Sequence, residues 1–163
     1  KFSLRAALAD APAEVRGFLE RQEAEEAEHQ ECFERLTGVK AREREDLPKM
    51  PTQWNACAVR LLGYEALGYE FAKLAIAETS GEVRAMLEEI LRDEMEHVRF
   101  YEEELRKILT ADNGRARETR IMAEAFLRRL PKTVERYLRG TDLGEFLESI
   151  LAGVQGRFRG LGL

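Results

Sequence analysis

The segment that decides the fold is VRAMLEEILRDEMEHVRFYEEELRKI, residues 83–108. At about 100° per residue in a helix, its apolar residues fall on one face: Val83, Leu87, Ile90, Tyr101, Leu105 and Ile108. Glu94 and His97 interrupt that face at its middle. Because residues three apart share a helix face, an amphipathic helix here directs a carboxylate and an imidazole towards one interior point.

The same spacing recurs in the first half of the chain, where Glu26 precedes His29. A helix over this region places both on one side with Val15, Leu19, Gln22, Phe33 and Leu36. A third segment carries a lone Glu65 on a face with Trp54, Ala58, Leu61, Ala72 and Ile76. Glu70 is predicted on roughly the opposite side of that helix. Three helices are therefore expected to bring one carboxylate each into the interior.

Carboxylates on three apolar faces raise a problem of charge. Burying an ionised carboxylate costs several kcal/mol unless something compensates it, and no lysine or arginine lies centrally on these faces. Bound cations would compensate the charge, and carboxylate oxygens mixed with imidazole suit iron or manganese, with zinc as another candidate. The alternative interpretation is three unrelated, partly exposed glutamates and two histidines with ordinary hydrogen bonds.

The remaining pattern predicts an all-α chain. Asp10-Ala11-Pro12 is typical of a helix start, and that helix runs to about Leu36. Further helices are expected over about 52–78, 81–109, 115–139 (kinked at Pro131) and 141–157, with residues 1–9 as the tail of another. The connection over 38–52 is long enough to join helices that point the same way. We expect one domain over 1–163, with core helices in 10–109 and covering or oligomerisation helices in 115–157.

Composition narrows the class of protein. The chain has 163 residues, 44% hydrophobic and 35% charged, with a net charge of −5 and a pI of about 5.3. This acidic balance argues against nucleic-acid binding, and no apolar run approaches the roughly 20 residues needed to cross a bilayer. Cys32 and Cys57 form no CxxC pair. We expect both to be buried, in a reducing cytoplasm.

The order Glu26-x-x-His29, then Glu65, then Glu94-x-x-His97 resembles the ferritin-like di-iron carboxylate proteins, especially their rubrerythrin-like members. That family uses one Glu from each of two bundle helices and Glu-x-x-His from each of the other two. The resemblance covers about residues 10–109 and implies an antiparallel bundle with a long crossover. It implies that these five side chains bind two iron ions, with manganese or zinc as alternatives.

One part of the family pattern has no counterpart in the sequence. The first family helix, with its glutamate, would lie before Lys1. We therefore expect that this helix is missing from the sequence or that another subunit supplies the ligand, while Glu23 and Glu25 are possible substitutes. The resemblance also implies that Asp93 or Glu25, each next to a ligand glutamate, hydrogen-bonds a ligand histidine. Tyr101 is a candidate redox-active or ligand-supporting tyrosine, although ordinary core packing explains it better.

By resemblance, the leading functional hypothesis is an oxidoreductase that reacts with dioxygen or peroxide, with a small organic substrate as an option. Because the chain lacks rubredoxin-like CxxC pairs, a separate electron donor is expected. We also expect a homo-oligomer, with a dimer favoured. The alternatives are iron oxidation and storage in a multimeric shell, and a non-catalytic helical scaffold, since fold alone does not decide function.

Overall fold

The computed structural model describes residues 1–41, 47–111, 113–138 and 146–163, and within these ranges all regular structure is helical. The helices are α1 (Phe2–Leu8), α2 (Ala13–Thr37), α3 (Trp54–Ala77), α4 (Gly81–Ala111), α5 (Asn113–Leu138) and α6 (Leu147–Gly160). The predicted all-α class is therefore confirmed. Among the described helices, none combines the length and apolar character needed to span a bilayer.

The first four helices form a ring in which α1 contacts α2 and α3, and α4 contacts α2 and α3. Two hydrogen bonds show that α2 and α4 are antiparallel. Gln22 pairs with Tyr101, whereas the later α2 residue His29 pairs with the earlier α4 residue Asp93. Between α3 and α4, Trp54 bonds Glu104 while the later Gly68 lies against the earlier Glu94, so these two helices are also antiparallel. Since α2 and α3 are both antiparallel to α4, they point the same way. The long connection therefore joins parallel helices, as predicted.

The limits of the helices follow from local sequence. Gly38 ends α2 with φ of 69°, a left-handed conformation that glycine adopts without a Cβ clash. α2 begins directly after Asp10-Ala11-Pro12, and Pro12 occupies its N-cap position without a side-chain hydrogen bond to the helix. Pro131 lies within α5, which continues through it to Leu138. The predicted start of the last helix at 141–142 lies outside the described residues.

The two C-terminal helices cover the bundle. α5 packs against α3 and α4, and α6 packs against α3 and α5. Ala123, Leu130, Val134, Ile150 and Phe158 from these two helices are buried in the same core as the residues of α1 to α4. The C-terminal helices are therefore part of the hydrophobic core of the domain.

Four side chains differ from their predicted environments. Glu70, expected opposite the interior face, is buried because the α6 backbone at Gly153 closes over it. Phe33 and Leu36, expected in the core, are 42% and 47% exposed at the end of α2. Cys32 is half-buried, whereas Cys57 is buried as predicted. A helical face is buried only where a neighbouring helix covers it, and these differences arise from the position and extent of those neighbours.

The contact between α3 and α5 depends on a glycine. A Cβ at Gly63 would overlap the ring of Phe126. We expect Gly63→Ala to lower the free energy of unfolding by about 1–3 kcal/mol, the usual cost of overpacking a core, as measured by urea denaturation. Gly17 is the control, because a Cβ there meets nothing within 4 Å. Gly17→Ala should raise the free energy of unfolding by about 0.5–1 kcal/mol. Stabilisation of similar size by both substitutions would contradict the packing.

Candidate metal centre

The acidic and imidazole side chains predicted on three helices converge in the middle of the bundle. Glu26 of α2, Glu65 of α3, and Glu94 and His97 of α4 each place one ligand-type atom within 4.8 Å of those of the others. We call these four residues the carboxylate–histidine cluster. Glu65, Glu94 and His97 are buried, and Glu26 is partly buried. This convergence agrees with the sequence, in which Glu26, Glu65 and Glu94 each interrupt an apolar helix face.

His29 borders this cluster without belonging to its tightest group. Its Nδ1 lies 3.8 Å from Glu94 Oε1 and is buried without a hydrogen bond. On the other side, His97 Nδ1 lies 3.8 Å from Glu26 Oε1 and 3.2 Å from Glu65 Oε2. Each histidine therefore faces a glutamate of the opposite helix.

Both imidazoles are held from behind by an acid. His29 Nε2 lies 3.0 Å from Asp93 Oδ2, and His97 Nε2 lies 2.8 Å from Glu25 Oε2. Because a carboxylate accepts hydrogen bonds, each Nε2 is the donor. In the neutral imidazole, Nδ1 then carries the lone pair that faces the cluster. The histidine–acid contact predicted for this class of site is present twice, and each pair joins α2 to α4.

Three polar atoms of the cluster and of His29 have no hydrogen-bond partner. Nδ1 of His29, Nδ1 of His97 and Oε2 of Glu65 are buried and make no hydrogen bond. Although His97 Nδ1 and Glu65 Oε2 are 3.2 Å apart, they are not aligned as donor and acceptor. Buried polar atoms are normally satisfied, and bound cations beside these atoms would satisfy them. The donor set therefore fits a metal ion.

The crowded, buried groups of the cluster also have shifted pKa values. Burial, together with the negative charges of Glu65 and Glu26, raises the pKa of Glu94 to about 9. Burial and the charge of Glu65 also raise the pKa of Glu26. Burial alone would lower the pKa of His97, but close contact with Glu65, the bond to Glu25 and the charge of Glu94 raise it to about 9. Without a cation, the cluster therefore retains protons at neutral pH.

Tyr101 packs in the core beside the cluster. It is fully buried, and its hydroxyl donates to Gln22 Oε1 at 2.6 Å. Burial, followed by the charge of Glu65, raises the pKa of Tyr101 well above its ordinary value. The aromatic ring of Phe18 lies edge-on to both Tyr101 and His97. These contacts agree with the core-packing interpretation of Tyr101.

The two proposed substitute acids do not join the cluster. Glu23 accepts a hydrogen bond from Arg5 Nε at 2.8 Å, and Glu25 is engaged with the outer nitrogen of His97.

Two residues that the sequence analysis did not identify as functional lie beside the site. Gln22 was recognisable as the polar residue within an apolar face, and Gly68 as a glycine three residues after Glu65 on the same helix face.

Comparisons of this chain with protein-family models, curated proteins and solved structures gave no match.

The pKa shifts predict how the stability of the metal-free protein varies with pH. Unfolded chains release the protons of Glu94 and His97 at their ordinary pKa values of 4.5 and 6.5, whereas the folded protein holds both to about 9. The folded state thus binds more protons between pH 6.5 and 9, and the free energy of unfolding should fall as the pH rises through that window. Denaturation in the presence of a chelator measures this fall.

Glu94→Gln provides the control for this pH dependence. The amide does not titrate, so the decline in stability between pH 6.5 and 9 should be shallower than in the unmodified protein. A free energy of unfolding that stays level or rises across this window in the unmodified protein would show that the buried groups do not hold these protons.

Proposed function

We propose that the carboxylate–histidine cluster and His29 form a two-metal centre, with iron as the preferred metal, in an oxidoreductase that acts on dioxygen or peroxide. The observation that carries this proposal is the orientation of the two histidines. Both direct a buried, unpaired Nδ1 at carboxylates, while both Nε2 atoms are bonded to acids behind them. This is the arrangement of a metal-ligating histidine with an orienting acid.

The positions of the side chains suggest how two ions would be shared. His97 and Glu65, whose atoms lie 3.2 Å apart, would hold one ion, and His29 would hold the other. Glu26 and Glu94 each lie beside the histidine of the opposite helix, at 3.8 Å, so they would be the remaining carboxylate ligands of the centre. Oxygen-rich donors with imidazole favour iron and manganese, and the resemblance to di-iron carboxylate proteins favours iron.

A pair of iron ions can together supply two electrons to the O–O bond of dioxygen or peroxide. The reduction of hydrogen peroxide then consumes two electrons and two protons and gives two water molecules. A separate reductant would supply the electrons, because Cys32 and Cys57 form no redox pair. Burial raises the pKa of the Cys57 thiol to about 11, which leaves that thiol unreactive near neutral pH.

The chain itself would bind and orient the metal ions. Asp93 and Glu25 hold each imidazole with Nδ1 directed inward. At neutral pH the cluster holds protons on Glu94 and His97, so metal binding would displace them. The affinity for metal should consequently increase as the pH rises towards 9.

The family pattern contains a fourth carboxylate, whereas the cluster formed by the described residues contains three. We therefore propose that a second subunit supplies the further carboxylate. Metal stoichiometry measured together with oligomeric state addresses the source. A dimer that binds two ions per chain, together with a monomer that binds fewer, would indicate that the second subunit supplies the carboxylate.

Metal content tests the centre directly. Glu94→Gln and His97→Ala should each lower the iron bound per chain by at least half, because each removes a donor atom while helicity by circular dichroism persists. Glu96→Gln is the matched control, since Glu96 lies in the same motif but is exposed. Unchanged iron content in both Glu94→Gln and His97→Ala, or absence of bound transition metal in the unmodified protein, would favour the non-catalytic scaffold.

Gly68 provides a second test that leaves every donor in place. A Cβ at this position would lie 2.9 Å from Glu94 Oε2 and 3.2 Å from Glu94 Cδ, so the carboxylate would have to shift. Gly68→Ala should therefore weaken metal affinity about tenfold or more, since small misplacements of a ligand are costly in a preorganised site. Competition with a chromophoric chelator measures the affinity, and Gly17→Ala is the control. Equal affinities in the two variants would contradict this role for Gly68.

A further inference from the structure

An apolar pocket of about 400 Å³ lies directly beside the proposed metal centre. Residues of α2, α3 and α4 line it, among them Phe33, Phe71, Leu74, Leu87 and Ile90. His29 and Glu94 form part of the same wall. The pocket and the metal centre therefore share two side chains, and a molecule in the pocket would lie against the metal-binding groups.

We propose that this pocket binds a neutral, apolar organic molecule and presents it to the metal centre as a substrate. The role of this molecule as a substrate rests on the proposed function, whereas its binding depends only on the pocket. Ligand sites are typically apolar cavities of about 300–1,000 Å³ in which a few polar groups converge. Here the polar groups are His29 and Glu94, and they belong to the site where chemistry is proposed.

The size of the pocket limits the ligand. A cavity of about 150 Å³ in another protein holds one benzene molecule, so about 400 Å³ accommodates a molecule of about ten to fifteen non-hydrogen atoms on the same scale. That is the size of a two-ring aromatic compound or a medium-length aliphatic chain. A long lipid chain would extend out of the pocket.

The lining also determines the charge of the ligand. Among the described residues that line the pocket there is no lysine or arginine, and their ionisable side chains are His29, Glu94 and the exposed Glu78. In the metal-free protein, a carboxylate ligand would therefore find no lysine or arginine to pair with among the described lining residues. Burying an unpaired charge is expensive, so the pocket favours the neutral form of a molecule over its anionic analogue.

Another occupant is conceivable, because exposed apolar residues lie near the pocket. Phe33 lines it, and Leu36 and Val39 follow on the chain with 47% and 68% of their surface exposed. A second copy of the chain could cover this region. The depth of contact with His29 and Glu94 favours a small molecule, because a flat interface would not require a cavity that reaches the buried donors.

Naphthalene, a neutral molecule of ten carbon atoms, is a suitable probe. Fluorescence titration should show saturable binding of naphthalene to the metal-free and the metal-loaded protein, and 2-naphthoate should bind the metal-free protein at least tenfold more weakly. Ala75 lines the pocket, so Ala75→Phe should weaken naphthalene binding at least tenfold by occupying the space. The matched control is Ala77→Phe on the same helix, at an exposed position outside the lining, and it should bind naphthalene as the unmodified protein does.

A second measurement locates the probe. In protein loaded with Mn²⁺, the paramagnetic ion should broaden the naphthalene proton signals, and this broadening should be lost in Ala75→Phe although the variant retains its metal. Absence of naphthalene binding, equal binding by Ala75→Phe, or binding only after a dimer is dissociated would overturn the proposal. Naphthalene binding that Ala75→Phe abolishes in a protein that takes up no metal would support the pocket and refute the metal centre.

Discussion

The structure depends on one electrostatic constraint, the placement of Glu26, Glu65 and Glu94 within a few ångströms of one another inside a helical bundle. Three carboxylates cannot all remain ionised there without compensation. The structure has two ways to meet the constraint, protons held at raised pKa values or bound cations. The inward Nδ1 atoms of His29 and His97 make no hydrogen bond, and bound cations would use their lone pairs while also neutralising the carboxylates.

The reciprocal contacts between α2 and α4 follow from a simple sequence rule. Each helix carries an acid, a glutamate and, three residues after the glutamate, a histidine. When two such helices pack antiparallel, the acid of one lies behind the histidine of the other, as in the pairs Asp93–His29 and Glu25–His97. The orienting contacts and the glutamate–histidine contacts thus arise from the same antiparallel packing, so local spacing and tertiary structure reinforce each other.

Much of this arrangement could be predicted from periodicity, because Glu26, Glu65 and Glu94 interrupt apolar faces that must be buried somewhere. The parallel direction of α2 and α3 followed from the length of their connection. Periodicity could not predict the burial of Glu70, which depends on where α6 packs. Nor could it predict the apolar pocket, since a cavity is defined by the incomplete contact of several helices.

The central helix α3 explains how the two halves of the domain fit together. It contacts α1, α4, α5 and α6, and it carries a glycine at each of two close approaches. Gly63 admits the Phe126 ring of α5, and Gly68 admits the Glu94 carboxylate of α4. Each glycine within a helix costs about 0.5–1 kcal/mol relative to alanine, but a larger residue would separate α3 from its neighbours. The lack of a side chain at these two positions therefore allows one helix to contact both the covering helices and the acidic centre.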